Sequence, residues 1–256
     1  MRGQFQFHGK GGELFLIFLV NLLLSVITLG IYIPWAIVKI VKYMAGKTSL
    51  DGIEFSFEGS GGDLLSLYLV NYILTAITLG IYGPIANLKI TEYYTKNLVY
   101  KGKNFQFDTS NLCDFWCLIF IQGILCAITL GIYTPWAMVK IRRNILERTS
   151  YDGEKFGFTA EGGELFSLYL IQGILTIITL GIYSPWAVAK IANYIMNNTT
   201  YGENGKFALE LEGGELFSII ILHGIILTVI TLGIYCPWYV VKFTEYEYSK
   251  MQIIDA

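Results

Sequence analysis

Charge falls on this chain in a regular pattern. Five windows hold no charged residue at all: 14–38, 64–88, 115–139, 165–189 and 216–241. An acid opens each one, at Glu13, Asp63, Asp114, Glu164 and Glu215. A lysine closes each one, at Lys39, Lys89, Lys140, Lys190 and Lys242. Every window exceeds the roughly 18–20 apolar residues that suggest a membrane helix. None reads as one straight helix, however. Each contains Ile-Thr-Leu-Gly-Ile-Tyr, beginning at Ile27, Ile77, Ile128, Ile178 and Ile230, and two residues later a proline. Gly30 suits a left-handed helix terminus. Pro34 suits the first turn of a new helix, where its missing N–H costs nothing. The spacing predicts helix A over about 12–29, a tight turn, and helix B from 34 to about 43 or slightly beyond.

The segments between windows have strand character. Asp51-Gly52 and Asp152-Gly153 are hairpin-turn signals between apolar residues. Phe-x-Phe recurs at Phe5/Phe7, Phe55/Phe57, Phe105/Phe107 and Phe156/Phe158, with Phe207/Leu209 in the fifth copy. Period-two spacing puts both side chains on one sheet face, where they pack against the helical layer.

These features recur every 50 to 52 residues, so internal repetition governs the fold. The expected architecture is membrane α-helical with short β segments. It is one domain of five tandem repeats, about 1–47, 48–98, 99–148, 149–198 and 199–256. Each repeat is a helix–turn–helix membrane hairpin flanked by strands, in a pseudo-five-fold arrangement. Single crossings would invert every second copy. They would also divide the Lys and Arg residues about evenly between the two sides, giving no positive-inside bias. Hairpins keep every copy in one environment and place the termini and β segments in the cytoplasm.

Composition supports lipid as the solvent. Of 256 residues, 54% are hydrophobic and 15% charged, against about 25% charged in soluble domains. The net charge of −2 and the lack of a basic block argue against nucleic acid. Residues 1–13 do not resemble a cleaved secretory signal. Cys113, Cys117, Cys126 and Cys236 lie in or beside apolar runs, which suits packing better than disulfides or zinc. No metal or cofactor is expected, and no nucleophile–base pair or phosphate loop points to an enzyme.

One polar residue recurs eight positions after each acid: Asn21, Asn71, Gln122, Gln172 and His223. A threonine follows seven or eight residues later. An amide in hydrocarbon needs a partner, so this stripe faces protein or water. It makes these five residues candidates to line a polar cavity, with interhelical hydrogen bonding as the plainer role. The closing lysines are expected to snorkel, or to pair with the acids. A channel- or transporter-like protein is one expectation. A non-catalytic scaffold binding partners through its β layer is the other.

The motif Gly-Gly-Glu-Leu, followed by Ile-Thr-Leu-Gly-Ile-Tyr-x-Pro-Trp-Ala-x-x-Lys-Ile, stands at Gly11–Leu14 with Ile27–Ile40, and at Gly162–Leu165 with Ile178–Ile191. It resembles the YjgN-like family of bacterial inner-membrane proteins. The resemblance covers essentially the whole chain and implies a bacterial inner-membrane location and no chemistry. Copies two and three depart from it. Ile85 replaces the tryptophan found at Trp35, Trp136, Trp186 and Trp238, and Leu112-Cys113 replaces Gly-Gly.

Overall fold

The computed structural model describes residues 3–255. The first copy sets the pattern. Strand β1 (Gly3–Phe7) leads into α1 (Gly11–Ile27), a turn, and α2 (Ile33–Lys47). Then come β2 (Thr48–Leu50) and a run 53–57, divided into β3 (Ile53–Glu54) and β4 (Ser56–Phe57). The second copy gives α3 (Gly61–Ile77), α4 (Gly83–Lys96), β5 (Leu98–Tyr100), β6 (Lys103–Asn104) and β7 (Gln106–Phe107). The third gives α5 (Leu112–Ile128), α6 (Thr134–Glu147), β8 (Thr149–Tyr151) and β9 (Glu154–Phe158). The fourth gives α7 (Gly162–Ile178), α8 (Ser184–Asn197), β10 (Thr199–Tyr201) and β11 (Gly205–Leu209). The chain ends with α9 (Gly213–Ile230), α10 (Cys236–Ser249) and β12 (Met251–Asp255).

Helix A ends as the Gly suggested, with one difference. The residue entering the left-handed region first is Leu29 (φ 50°), and Gly30 follows at φ 90°. The same pair recurs at Leu79, Leu130, Leu180 and Leu232. The Gly30 N–H reaches back to Ser25 O at 2.8 Å, the bond that closes a Schellman terminus. Helix B starts one residue before the proline and runs to Lys47, four residues past the expected end.

Helix A is the same length, 17 residues, in the first four copies. In the fifth, one extra residue separates the polar position from the threonine, and α9 absorbs it as a π-helical stretch, Ile219–Leu227. By length and apolar composition α9 could cross a membrane alone; the other four A helices are shorter apolar helices.

The strands pair antiparallel. Two-residue turns at Asp51-Gly52, Lys101-Gly102 and Asp152-Gly153 have both φ angles positive, as type I′ hairpins require. The run 53–57 pairs with β2 through its first half and with β5 through its second. Runs 103–107 and 154–158 likewise bridge neighbours. Since β1 pairs with both β2 and β12, the ladder returns to its start.

The ring interior is aromatic. Phe5 stacks on Phe55 and on Phe207, both at 6.3 Å, and Phe156 sits between Phe105 (6.1 Å) and Phe207 (6.2 Å). Tyr100 and Tyr151 fill the remaining arc, 4.7 Å from Phe55 and Phe105 respectively. Each buried tyrosine hydroxyl donates to the carbonyl of the matching residue one copy earlier: Tyr100 to Leu50, Tyr151 to Tyr100, Tyr201 to Tyr151, at 2.8–3.0 Å. Such pairing satisfies polar atoms that burial would otherwise penalise.

The second residue of each Phe-x-Phe joins helices of adjacent copies. Phe107 packs with Leu88 and Phe115, and Phe158 with Val139 and Leu165. Phe7 joins Leu14 to Val241, linking the first copy to the last. Accordingly α2 packs on both α1 and α3, and α10 packs back on α1.

Candidate functional site

Helix α1 is exposed over a broad apolar arc that includes Leu16, Val20, Leu23 and Ile27. Its opposite face carries Leu14, Asn21 and Thr28. The polar position is buried in four copies: Asn21, Asn71, Gln122 and Gln172 are 3–4% exposed, and His223 is half-buried. The stripe therefore faces protein, as an amide in a lipid environment must.

Its bonding differs between copies. The Gln172 carbonyl accepts from the Tyr183 hydroxyl at 3.1 Å, and Lys190 Nζ donates to that same tyrosine oxygen at 3.1 Å. His223 Nδ1 lies 2.8 Å from Tyr235 Oη, and its Nε2 lies 2.9 Å from Lys242 Nζ. In the first three copies the amides lack such partners. Asn21 Oδ1, both Asn71 side-chain polar atoms and Gln122 Oε1 are buried with no hydrogen bond. Five cavities open between helices, and none of these five is lined by a member of the polar series.

Three of the closing lysines, Lys39, Lys140 and Lys190, turn towards the interhelix turn. Lys39 donates to Tyr32 at 2.7 Å and Lys140 to Tyr133 at 2.9 Å. The repeat acids lie at the other end of helix A and find other partners. Glu13 pairs with Lys47 at 3.5 Å, Glu215 with Lys250 at 3.8 Å, and Glu164 accepts from Tyr194 at 3.0 Å. Asp63 donates its backbone N–H to Ser60 Oγ, the N-cap bond, and its carboxylate accepts from the same hydroxyl. The expected acid–lysine pairing does not form among the described residues. Asp114 and Lys89 keep their repeat positions, in the first turn of α5 and midway along α4.

The turn is self-sufficient. The N–H groups of Thr28, Leu29, Gly30, Ile31 and Ile33 each bond a carbonyl within it or the adjoining helix, and Tyr32 N–H bonds Thr28 Oγ1 at 3.1 Å. Its side chains are apolar and open: Leu29 is 94% exposed and Ile31 65%. Backbone can sit at membrane depth only when satisfied internally or covered by protein. These turns satisfy their N–H groups internally.

Two sets of contacts are not marked by the linear motif. A tyrosine nine residues past the proline ties helix B to the start of helix A. Tyr43 bonds Lys10, Tyr93 bonds Ser60, Tyr194 bonds Glu161 and Tyr246 bonds Glu212 through backbone atoms. Asn144 occupies that position in the third copy and is too short. There Arg148, braced by Asn144 Oδ1, donates to Asp108 O at 3.1 Å and Ser110 O at 2.6 Å. The second set joins neighbouring copies. A Cβ on Gly61 would overlap the Trp35 indole, and the same holds for Gly162 with Trp136, Gly213 with Trp186 and Gly11 with Trp238. All four cysteines are free thiols, and no group of three metal-ligating side chains occurs among the described residues.

A family model described as "Bacterial protein of unknown function (DUF898)" matches residues 2–56, 53–113, 109–172 and 154–208. The chain belongs to this family. Its curated relatives include Inner membrane protein YjgN of Escherichia coli strain K12, 50% identical over 48 residues. That match spans 19% of this chain and 12% of the relative. The Salmonella typhimurium YjgN is 56% identical over 45 residues, 18% of this chain and 11% of its own. The chain thus aligns with only about an eighth of these relatives' length. No solved structure matches it significantly. The family match bears out the YjgN-like resemblance seen in the repeat motif.

Proposed function

We propose that the protein is a non-catalytic scaffold of the bacterial inner membrane. Five hairpins enter the bilayer from the cytoplasmic face, and the strand ring remains in the cytoplasm as the contact surface for partners. The name of the YjgN relatives supports the membrane, and the self-bonded apolar turns support hairpins whose tips stay in lipid. At about 1.5 Å per residue, 17 residues of helix span about 25 Å, slightly less than a hydrocarbon core of about 30 Å.

The observation that carries the scaffold over an open pore is the aromatic filling of the strand ring. Phe55, Phe105, Phe156 and Phe207 are all buried there, with Tyr100, Tyr151 and Tyr201 between them. Their packing supports a ring centre filled by side chains. Purified protein reconstituted into sealed vesicles should leave potassium and small-solute flux at the level of empty vesicles. Flux that rises with protein content would overturn the scaffold.

One observation favours a channel- or transporter-like role instead. The unpaired Asn21, Asn71 and Gln122 atoms are what a hydrated or ligand-holding polar cavity would supply. Under that role, flux would be present and would fall on replacement of these amides by leucine.

A further inference from the structure

In each copy the closing lysine stands without an ion-pair partner among the described residues. Lys39, Lys140, Lys190 and Lys242 are exposed. All twenty acids lie outside the uncharged windows. The Lys39 ammonium bends two helical turns back, towards the tip, to reach Tyr32 Oη at 2.7 Å. Lys140 does the same with Tyr133 at 2.9 Å. The ammonium groups stand 5.3 and 5.7 Å from the ring centroids. A phenol offers hydrogen bonding and ring charge, but no full negative charge. In these two copies the hydroxyl accepts from lysine, and its own proton has no acceptor among the described residues. In the fourth copy that proton goes to Gln172.

An ammonium and a spare hydroxyl donor side by side suit an anionic oxygen pair. The neighbouring surface narrows the source. Leu29, Ile31, Leu130 and Ile132 are 63–94% exposed beside these pairs, so the anion should arrive with hydrocarbon attached. A hairpin slightly shorter than the bilayer core also leaves its tip beneath the far headgroups, where a lysine gains by meeting a phosphate.

We propose that Lys39 with Tyr32, and Lys140 with Tyr133, each bind the phosphate of an anionic phospholipid of the far leaflet. The lysine supplies the charge, the tyrosine hydroxyl a second hydrogen bond, and the exposed leucine and isoleucine contact the acyl chains. The proposal rests on the hairpin insertion argued above.

The test uses the full chain, delipidated by detergent from vesicles of mixed phosphatidylglycerol and phosphatidylcholine, with retained lipid counted by native mass spectrometry. Wild type should retain phosphatidylglycerol in excess. K39Q/K140Q should lose that excess by about five-fold per lysine, the effect expected for a basic residue near an anionic surface. K39R/K140R should keep it, which separates charge from misfolding. Equal enrichment in wild type and K39Q/K140Q overturns the proposal. So does release of the lipid by inorganic phosphate, which would mean a free-anion site. Insertion is read separately, by labelling Leu29→Cys in a cysteine-free background with a membrane-impermeant thiol reagent added to either side. Labelling only from the side of the strand ring sinks the hairpin, whatever the lipid count.

Discussion

Trp238 lies against Gly11, so closely that a Cβ on the glycine would overlap the indole. The fifth copy thus meets the first as the first meets the second, where Trp35 covers Gly61. The two irregular copies meet each other. Copy two has Ile85 for tryptophan, and the copy it faces has Leu112 for glycine. At that seam the indole comes from the other side. Trp116, on α5, donates to Ile81 O at 2.7 Å. The two departures from the repeat thus form one exchange at a single seam, where α4 packs on α5.

That exchange predicts coupling. G162A should destabilise the protein by about 1–3 kcal/mol, the usual cost of overpacking. L112G alone should leave a gap and I85W alone a clash, while I85W/L112G should recover much of both losses. Thermal unfolding in detergent of wild type, L112G, I85W and I85W/L112G makes the cycle. Additive losses would mean that Ile85 and Leu112 do not share a contact.

Arg148 is expected to replace the missing tyrosine of the third copy. R148A should cost about 1–3 kcal/mol through unpaired carbonyls at Asp108 and Ser110. N144Y/R148A should regain part of that loss, because Asn144 occupies the tyrosine position. Chemical denaturation of the two variants decides it, and no gain from N144Y would show that the sites are not interchangeable.

Tyr201 gives a pH limit. Burial first, then the nearby Asp152 and Glu154 charges, push its hydroxyl up to about 12. The unfolded chain ionises it near 10. Its contribution is therefore complete below pH 10 and is lost as pH rises from 10 to 12. Near-ultraviolet circular dichroism should show the aromatic ring melting in that interval. Y201F should be less stable at neutral pH for want of the bond to Tyr151 O, and should lose less further stability between pH 10 and 12.

The π-helical stretch of α9 has a simple origin if one residue is in excess. Deleting Ile225 should convert Ile219–Leu227 to regular α-helix and restore the eleven-residue separation seen between Gln172 and Tyr183. Hydrogen exchange across 219–227 should then slow to the level of α7. Unchanged exchange would point to a cause other than the insertion.

Local signals were legible in the sequence, and contacts between copies were not. Pro34 and its repeats mark the start of helix B because proline acts through its own φ and missing donor. Asp51-Gly52 marks its turn for an equally local reason. Gly30 drew the left-handed position to itself, yet Leu29 precedes it there, held by the Gly30–Ser25 bond that a residue-by-residue propensity does not contain. The burial of Asn21 and its counterparts followed from the cost of an amide in hydrocarbon. Their partners did not, because Tyr183 and Tyr235 stand eleven and twelve residues away across a turn. The Phe-x-Phe pattern predicted a shared face. It carried no sign that the first rings of all copies converge, since that depends on β1 pairing with β12.

The pairing of Gly3 with Ile253 and Gln4 with Gln252 also sets an order of events in synthesis. A ribosome adds about 5–20 residues per second, so β1 waits roughly ten seconds or longer for its second neighbour to be made. Through that interval the growing ring has an open strand edge and an uncovered Gly11. A chaperone or a neighbouring nascent chain can reach both. Until β12 is made, β1 therefore keeps one edge that its own chain does not cover.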